Sequence, residues 1–301
     1  MEGALSGGIE ESTSVTNGLR VVLVSFAVSG FRLLYETCVQ AGHTPVAFVH
    51  ARSLRQQRAT SRRSAETMAD IGLALPPGMD LLLPGTAGGV AKALAGYQAD
   101  LIVVYGCPWK LTREGLRTAR LGAINVHTSL LPRYRGPIPV HWAVRNGDPE
   151  TGVSIHWMDE EFDSGNILAQ KGGIQIQDDL VTERLWREID EAIAELLPGA
   201  IELAAAGAEG EPQDEAGADY GSWMEPDFMF VDWRRGAREI HNQVRVFRFG
   251  LFGQRGPFAR IDGEWMTLLR TALAPADGVE MTCGDGPIWI TEMTPAIPPD
   301  R

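Results

Sequence analysis

Runs of apolar, largely β-branched residues recur along the first half of the chain and alternate with segments of helical spacing. The run LRVVLVSFAV predicts a strand that is buried on both faces, and GFRLLYETCVQAG then places apolar residues at helical intervals up to Gly42. The alternation continues through TPVAFVHA, MDLLLPG, GGVAKALAGYQ, ADLIVVYG, TREGLRTAR and GAINVHTS. Strands that alternate with helices predict an α/β domain with a parallel, doubly wound sheet.

This rhythm changes after Gly152. The segments GVSIHWMD and NILAQKGGIQIQ have strand character with no helix between them, which predicts antiparallel pairing. The segment LVTERLWREIDEAIAELLPGAIELAAAG predicts a long amphipathic helix with a break at Pro198, because proline removes a helical hydrogen bond.

A polar stretch rich in glycine, proline and acidic residues, AEGEPQDEAGADYGS, predicts a linker between two units. Beyond it, the helical segment RRGAREIHNQVRVF precedes short strands separated by glycine and proline, which predicts a small β-barrel-like domain. We therefore expect a disordered leader over 1–18, an α/β domain over 19–206, a linker over 207–230 and a small β domain over 231–301.

The composition is that of a folded protein, with 44% hydrophobic and 22% charged residues among 301. A net charge of -12 disfavours nucleic acid as the main partner. The three cysteines form no C-x-x-C pair, which disfavours disulfides and structural zinc. The leader lacks the features of a signal peptide, and no apolar run approaches about 18 residues. We expect a cytoplasmic protein with no membrane contact.

Candidate chemistry begins in the segment INVHTSLLPRYRGPIPVHWAV. Asn125 and His127 lie two residues apart and so face the same side of a strand end, where ligands bind in open α/β sheets. The alternative is that both residues simply cap the next loop. That loop contains three prolines and presents Arg133 and Arg135, which suits an anionic ligand, although a solvated basic turn has the same composition.

An acidic segment, HWMDEEFDSGNIL, follows the next strand. Such runs are usually solvated turns, yet a carboxylate close to His127 would fix its tautomer and raise its basicity. An amide, an imidazole and a carboxylate together would provide an oxyanion donor, a proton carrier and an orienting group.

Other chemistries lack their sequence patterns. A metal site would need this imidazole and carboxylate plus a third ligand such as His141 or His156, and no H-x-x-x-H or C-x-x-C pair supports it. An acyl-enzyme would use Ser129 or Cys107, but neither lies in a G-x-S-x-G turn. The first strand–helix turn, SFAVSGF, lacks the G-x-G-x-x-G pattern of dinucleotide sites. We expect no metal.

Residues 125–168, NVHTSLLPRYRGPIPVHWAVRNGDPETGVSIHWMDEEFDSGNIL, resemble the signature of the 10-formyltetrahydrofolate-dependent formyltransferases. The shared pattern is N-x-H-x-SLLP-x-Y-RG, then W-A-x-x-N-G, TGV-x-I-H and D-x-G-x-IL. In addition, VDWRRGAREIHNQVRVFRF resembles the start of that family's C-terminal domain. The resemblance implies a Rossmann-like formyltransferase domain followed by a small OB-like domain.

The resemblance also implies site residues and a co-substrate, 10-formyltetrahydrofolate, with no metal. The implied catalytic residues are Asn125, His127 and Asp163. The implied pterin pocket comprises Tyr105, Gly106, Cys107, Pro108, Trp109, Met158, Asp159, Glu160 and Glu161. Acceptor-binding residues are expected in the proline-rich loop, at Ser129, Arg133, Arg135 and Gly136. Cys107-Pro108-Trp109 departs from the small apolar residues of the family, which puts the pocket's width in doubt.

The acceptor is less well indicated. The tRNA-specific members carry a basic G-R-G insertion and a P-V-K element after the second strand, whereas this chain has five arginines over residues 52–63 without that pattern. Because the chain is also acidic, we favour a small-molecule amine, either an amino-sugar nucleotide or an ornithine-type amine of natural-product or siderophore assembly. Methionyl-tRNA, hydrolysis of the folate with water as nucleophile, and a non-catalytic folate- or nucleotide-binding module stay open. The sequence leaves the oligomeric state open.

Overall fold

The computed structural model describes residues 18–51 and 62–299. Within that part of the chain, seven strands form one sheet in the order β3-β2-β1-β4-β5-β6-β7. They are β1 (Arg20–Ser25), β2 (Thr44–His50), β3 (Asp80–Leu82), β4 (Leu101–Tyr105), β5 (Ala123–His127), β6 (Glu150–Trp157) and β7 (Ile167–Gln175). The helices of this unit are α1 (Val28–Gln40), α2 (Arg62–Ala74), α3 (Ala87–Leu94), α4 (Arg113–Leu116), α5 (Pro139–Asn146) and α6 (Thr182–Ala205).

The central strands are covered on both faces, which explains their unbroken apolar sequences. Val21 and Leu23 of β1 belong to a core that includes residues of α1 and α6. Val22 and Val24 point the other way, into a second core that contains Val90 of α3. Alternate residues of one strand therefore fill two separate cores.

The sheet is parallel from β3 to β5 and antiparallel from β5 to β7. The sequence predicts the parallel part and the antiparallel β6–β7 pair, but not the reversal between β5 and β6, which have α5 between them. The reversal brings the segment that follows β6 back toward β5. The acidic loop leaves β6 beside the start of β5, where Met158 N donates to the Ala123 oxygen at 2.9 Å, and it folds back so that Asp163 reaches Asn125. The proline-rich loop leaves from the carboxyl end of β5, so both loops contact this strand.

Two predicted helical features are wrong. Helix α6 continues through Pro198 without a break, because Leu197, Ala200 and Ile201 stay buried in the core on either side of the proline. The segment TREGLRTAR forms only the four-residue α4, which Thr112 caps by accepting a hydrogen bond from Gly115 N at 3.1 Å. A glycine inside so short a helix disfavours its extension.

The second unit contains α7 (Ala237–Val246) and a four-stranded antiparallel sheet. Its strands are β8 (Phe258–Ile261), β9 (Glu264–Ala272), β10 (Val279–Thr282) and β11 (Pro287–Pro295), in the order β10-β11-β9-β8. Asn242 of α7 donates a hydrogen bond to the main-chain oxygen of Arg145 in α5 at 3.3 Å. The two units are thus joined by direct contacts between α5 and α7.

Residues 1–17 of the predicted leader, and residues 52–61 of the arginine-rich stretch, lie outside the described residues. Among the helices that the structure does describe, none combines the length and apolar character needed to cross a bilayer.

Candidate active site

Strand register places four polar side chains together on one face of the sheet. Asn125 pairs with His156 across the β5–β6 ladder, and His127 pairs with Ser154. Side chains of directly opposed residues share a face, and positions two apart on one strand share it too. All four side chains are buried, so each needs a polar partner.

The Asn125 amide nitrogen lies 3.1 Å from His156 Nε2 and 3.2 Å from Asp163 Oδ1. His156 Nδ1 lies 2.7 Å from the main-chain oxygen of Trp157 and donates to it, so Nε2 is left as the acceptor for Asn125. These two neighbours of the amide nitrogen lie 3.6 Å from each other, so Asn125, His156 and Asp163 form one polar cluster.

The imidazole of His127 is oriented by the proline-rich loop. Its Nε2 donates to the main-chain oxygen of Tyr134 at 2.8 Å, which leaves Nδ1 as the basic nitrogen. Nδ1 lies 3.7 Å from Asp163 Oδ1, too far for a direct hydrogen bond but close enough for a strong charge interaction. Burial lowers the pKa of His127 and outweighs the Asp163 carboxylate, which raises it. His127 is therefore neutral near pH 7 and ready to accept a proton at Nδ1.

Asp163 occupies the acidic loop with a left-handed backbone, at φ 57°. Its Oδ2 accepts a hydrogen bond from Gly136 N at 2.8 Å, and its Oδ1 accepts from Asn125. Burial raises the pKa of this carboxyl, but the imidazoles of His127 and His156 and the Gly136 N–H lower it, with a net value of about 2. Asp163 is thus a carboxylate at any pH at which the protein is expected to work.

A cleft with an empty volume of about 370 Å³ opens beside these groups. Asn125 and Asp163 line it together with five residues of the expected pterin pocket, namely Cys107, Trp109, Met158, Asp159 and Glu161. His156 also lines the cleft, together with Val104, Lys110, Leu111 and Phe162.

The other four residues expected in the pterin pocket are not among those that line this cleft: Tyr105, Gly106, Pro108 and Glu160. Tyr105 is packed into the core near Gly30, and burial raises the pKa of its phenol. The main-chain oxygen of Gly106 accepts a hydrogen bond from Phe26 N at 2.9 Å. Glu160 forms an ion pair with Arg113 outside the cleft lining.

The four residues expected to bind the acceptor make contacts within the protein. Ser129 donates to the main-chain oxygen of Arg133 at 2.6 Å. Arg133 pairs with Asp148 at 2.9 Å. Arg135 pairs with Glu215 at 2.7 Å, and Gly136 holds Asp163. These residues shape the loop around the catalytic groups rather than presenting free cations.

Sequence reasoning assigned no role in this site to two residues that the structure places there. From the sequence, His156 is a candidate only for a metal site, yet its Nε2 lies 3.1 Å from the Asn125 amide nitrogen. Gln213, in the expected linker, donates hydrogen bonds to main-chain oxygens of Asp163 and Gly165, each at 2.8 Å. The strand register would have indicated His156, but nothing local to its own segment indicated Gln213.

Within residues 18–51 and 62–299, no group of three or more histidine, cysteine or acidic side chains is arranged to hold a metal.

A model of the formyl transferase family matches residues 20–201, which is more than half of the chain. The chain belongs to the formyltransferase family. The family resemblance predicted from residues 125–168 is confirmed.

Curated formyltransferases of other organisms are similar over part of the chain. A methionyl-tRNA formyltransferase from Citrifermentans bemidjiense is 34% identical over 215 residues, which are 67% of this chain and 66% of that protein. One from Moorella thermoacetica is 37% identical over 183 residues, which are 60% of this chain and 57% of that protein. The chain thus spans just under two thirds of the first relative and less of the second.

Solved formyltransferase structures share the fold. An N-formyltransferase from Helicobacter canadensis, in complex with folinic acid and dTDP-3-aminofucose, has a TM-score of 0.64 at 16% identity, over 92% of this chain and 100% of that one. HypX from Aquifex aeolicus, in complex with tetrahydrofolic acid, has a TM-score of 0.61 at 20% identity, over 91% of this chain and 44% of that one. The predicted α/β formyltransferase domain followed by a small β domain is confirmed.

Proposed function

We propose that this protein transfers a formyl group from 10-formyltetrahydrofolate to a primary amine. The observation that carries the proposal is the meeting of Asn125, His127 and Asp163 in a chain of the formyltransferase family, with Asn125 and Asp163 lining a cleft. The cleft combines apolar walls with a few polar groups, which fits a flat heterocycle with hydrogen-bonding edges.

When bound, 10-formyltetrahydrofolate supplies an activated formyl group on N10. Transfer forms a bond between the acceptor nitrogen and the formyl carbon and breaks the bond from that carbon to N10. Asn125, which lines the cleft, would donate an amide hydrogen to the formyl oxygen as negative charge develops there. This donor lies on a rigid strand, so little reorganisation is needed during the reaction.

His127 would move the proton. Its Nδ1 accepts a proton from the attacking amine and returns it to the leaving nitrogen, so no net proton is consumed. The imidazolium that forms in between lies 3.7 Å from the Asp163 carboxylate, which stabilises it. His156 would keep the Asn125 amide in the orientation that this chemistry needs.

We propose a small-molecule amine as the acceptor, either an amino-sugar nucleotide or an ornithine-type amine. Arg133 and Arg135, the cations of the loop beside the site, are each paired with a carboxylate of the same chain, which weakens their attraction for a polyanion. The net charge of -12 acts in the same direction. Methionyl-tRNA is the second candidate, because similar proteins from Citrifermentans bemidjiense and Moorella thermoacetica are named methionyl-tRNA formyltransferases.

A panel assay tests both proposals. The protein is incubated with 10-formyltetrahydrofolate and, in turn, with methionyl-tRNA, amino-sugar nucleotides, ornithine and N-hydroxyornithine, and formylated product is measured. Formylation of a small amine with little dependence on salt supports our choice. Formylation of methionyl-tRNA with a rate that falls steeply between about 50 and 200 mM salt would establish the second candidate.

The same panel separates transfer from hydrolysis. Release of tetrahydrofolate and formate at the same rate with and without any acceptor would identify a hydrolase and contradict the transfer proposal. Folate binding without turnover under every condition would indicate a binding module. Neutralising Arg55, Arg58 and Arg62 together should leave kcat/KM unchanged for a small acceptor, whereas with tRNA it should flatten the salt dependence.

A further inference from the structure

The expected linker joins the two loops that carry the catalytic groups. Its Glu211 exchanges two main-chain hydrogen bonds with Ile167, at the end of the acidic loop, each at 2.8 Å. Its Asp219 accepts a main-chain hydrogen bond from Arg135 N at 3.1 Å, and Gly221 donates to the Arg135 oxygen at 2.8 Å. The Asp219 carboxylate also accepts from the Tyr134 N–H. The linker is therefore bonded to both catalytic loops.

The side chain of Gln213 connects these loops directly. Its amide nitrogen donates to the main-chain oxygens of Asp163 and Gly165, each at 2.8 Å. Its amide oxygen accepts from Arg135, at 3.0 Å from Nε and 2.8 Å from the terminal nitrogen. All of the amide's hydrogens are used, and each bond ends on a loop that contributes to the site.

The backbone of Asp163 needs such support. A non-glycine residue with φ 57° is in a sparsely populated region and keeps that conformation only where its surroundings impose it. The loop around it is polar, and Asp159, Glu160 and Glu161 are partly or largely exposed, so apolar packing contributes little to holding it. The Gln213 bonds on either side of Ser164 therefore fix the turn from which the Asp163 carboxylate projects.

We propose that Gln213 is a positioning residue for formyl transfer, which holds the Asp163 loop against Arg135 so that the carboxylate faces His127. The expected effect of Gln213 on the rate rests on the proposed function, whereas its effect on the position of the Asp163 carboxylate does not. Gln213 touches no reacting group and acts through Asp163.

Two variants separate the two ends of the Gln213 amide. Gln213→Ala removes all of its hydrogen bonds and should lower kcat about 10- to 100-fold, since a displacement of about 1 Å at a catalytic group has this effect. Gln213→Glu keeps the acceptor for Arg135 but points oxygen at two carbonyl oxygens. It should therefore lower kcat at least as much. A Gln213→Glu protein with the kcat of the wild type would overturn the proposal, because it would show that only the Arg135 bonds matter.

A double-mutant cycle tests whether the effect passes through Asp163. In the Asp163→Ala background, Gln213→Ala should reduce kcat little further, because the group that it positions is gone. Additive losses would contradict the proposal. The control is Glu211→Gln, an exposed side chain of the same linker, which should leave kcat and the melting temperature unchanged.

An NMR titration of His127 in the full-length protein provides a readout that does not require turnover. The imidazole faces the Asp163 carboxylate, the His156 ring and the Tyr134 oxygen. If Gln213→Ala lets the carboxylate move away, the pKa of His127 should fall below its wild-type value, whereas Glu211→Gln should leave it unchanged. An unchanged His127 titration in folded Gln213→Ala would refute the positioning role, whatever reaction the protein catalyses. If no acceptor is formylated but the pKa of His127 falls as expected in Gln213→Ala, only the proposed function is refuted.

Discussion

Replacing Asp163 with asparagine removes one charge from the site and nearly preserves the side-chain volume. His127 Nδ1 and Asp163 Oδ1 are buried and 3.7 Å apart, and a pair of unit charges at that separation is worth about 4 kcal/mol at an effective dielectric constant of about 20. The pair becomes charged only when His127 takes up a proton, because burial lowers its pKa and keeps it neutral at rest. The interaction therefore stabilises the protonated imidazole of the reaction more than the resting enzyme.

We expect between half and all of the His127–Asp163 charge interaction to stabilise the transition state. At about 1.4 kcal/mol for each factor of ten, Asp163→Asn should then lower kcat by about 30- to 1000-fold. Single-turnover measurement of formyl transfer to the acceptor found in the panel would report this step directly. Asp178→Asn is the control, since it breaks an exposed ion pair with Arg238 that includes no residue of the site. A kcat close to wild type in Asp163→Asn, with a correctly folded protein, would refute the electrostatic role.

Three further predictions address the other parts of the site. Asn125→Ala should lower kcat about 100- to 1000-fold by removing the oxyanion donor, and a rate near wild type would place that donor elsewhere. The acid limb of kcat/KM against pH should have its midpoint below 6.5, because burial lowers the pKa of His127 and the neutral imidazole is the active form. Asp163→Asn should move this limb to still lower pH, since the carboxylate raises the pKa, and a shift to higher pH would contradict the assignment. Folate or a 5-deaza analogue should raise the melting temperature by mass action, whereas NAD and ATP should not, and a chelator should leave activity intact. A shift with NAD alone would contradict the folate site.

The local chemistry of β5 could be predicted because it depends on spacing within one strand. Asn125 and His127 share a face in any regular strand. The antiparallel pairing of β6 with β7 follows from two consecutive strand segments without a helix, whereas the reversal between β5 and β6, which have α5 between them, does not. The partner of Asn125 could not be found in this way. His156 faces it because of the β5–β6 register, and that register is a property of the pair of strands that neither segment specifies alone.

The roles of the arginines show a second limit. Composition indicated that Arg133 and Arg135 were free cations on a stiff loop, yet Asp148 and Glu215 neutralise them. Glu215 is 80 residues from Arg135, and its segment was identified as a linker from its polar composition. Composition distinguishes polar from apolar segments, but it does not show which distant polar segments will bind each other.

The contacts of residues 211–221 also bear on how far this protein is modular. The family match ends at residue 201, and the segment that holds Asp163 and Arg135 begins ten residues later. An exchange of C-terminal units between relatives at the end of α6 would therefore exchange part of the scaffold of the active site as well. A chimera joined after Gly221 would keep the native scaffold, whereas one joined at Ala206 would depend on whether the incoming segment supplies an equivalent of Gln213. Residues 207–221 therefore belong with the α/β unit in any exchange of domains, whether in evolution or in protein engineering, because they support its catalytic loops.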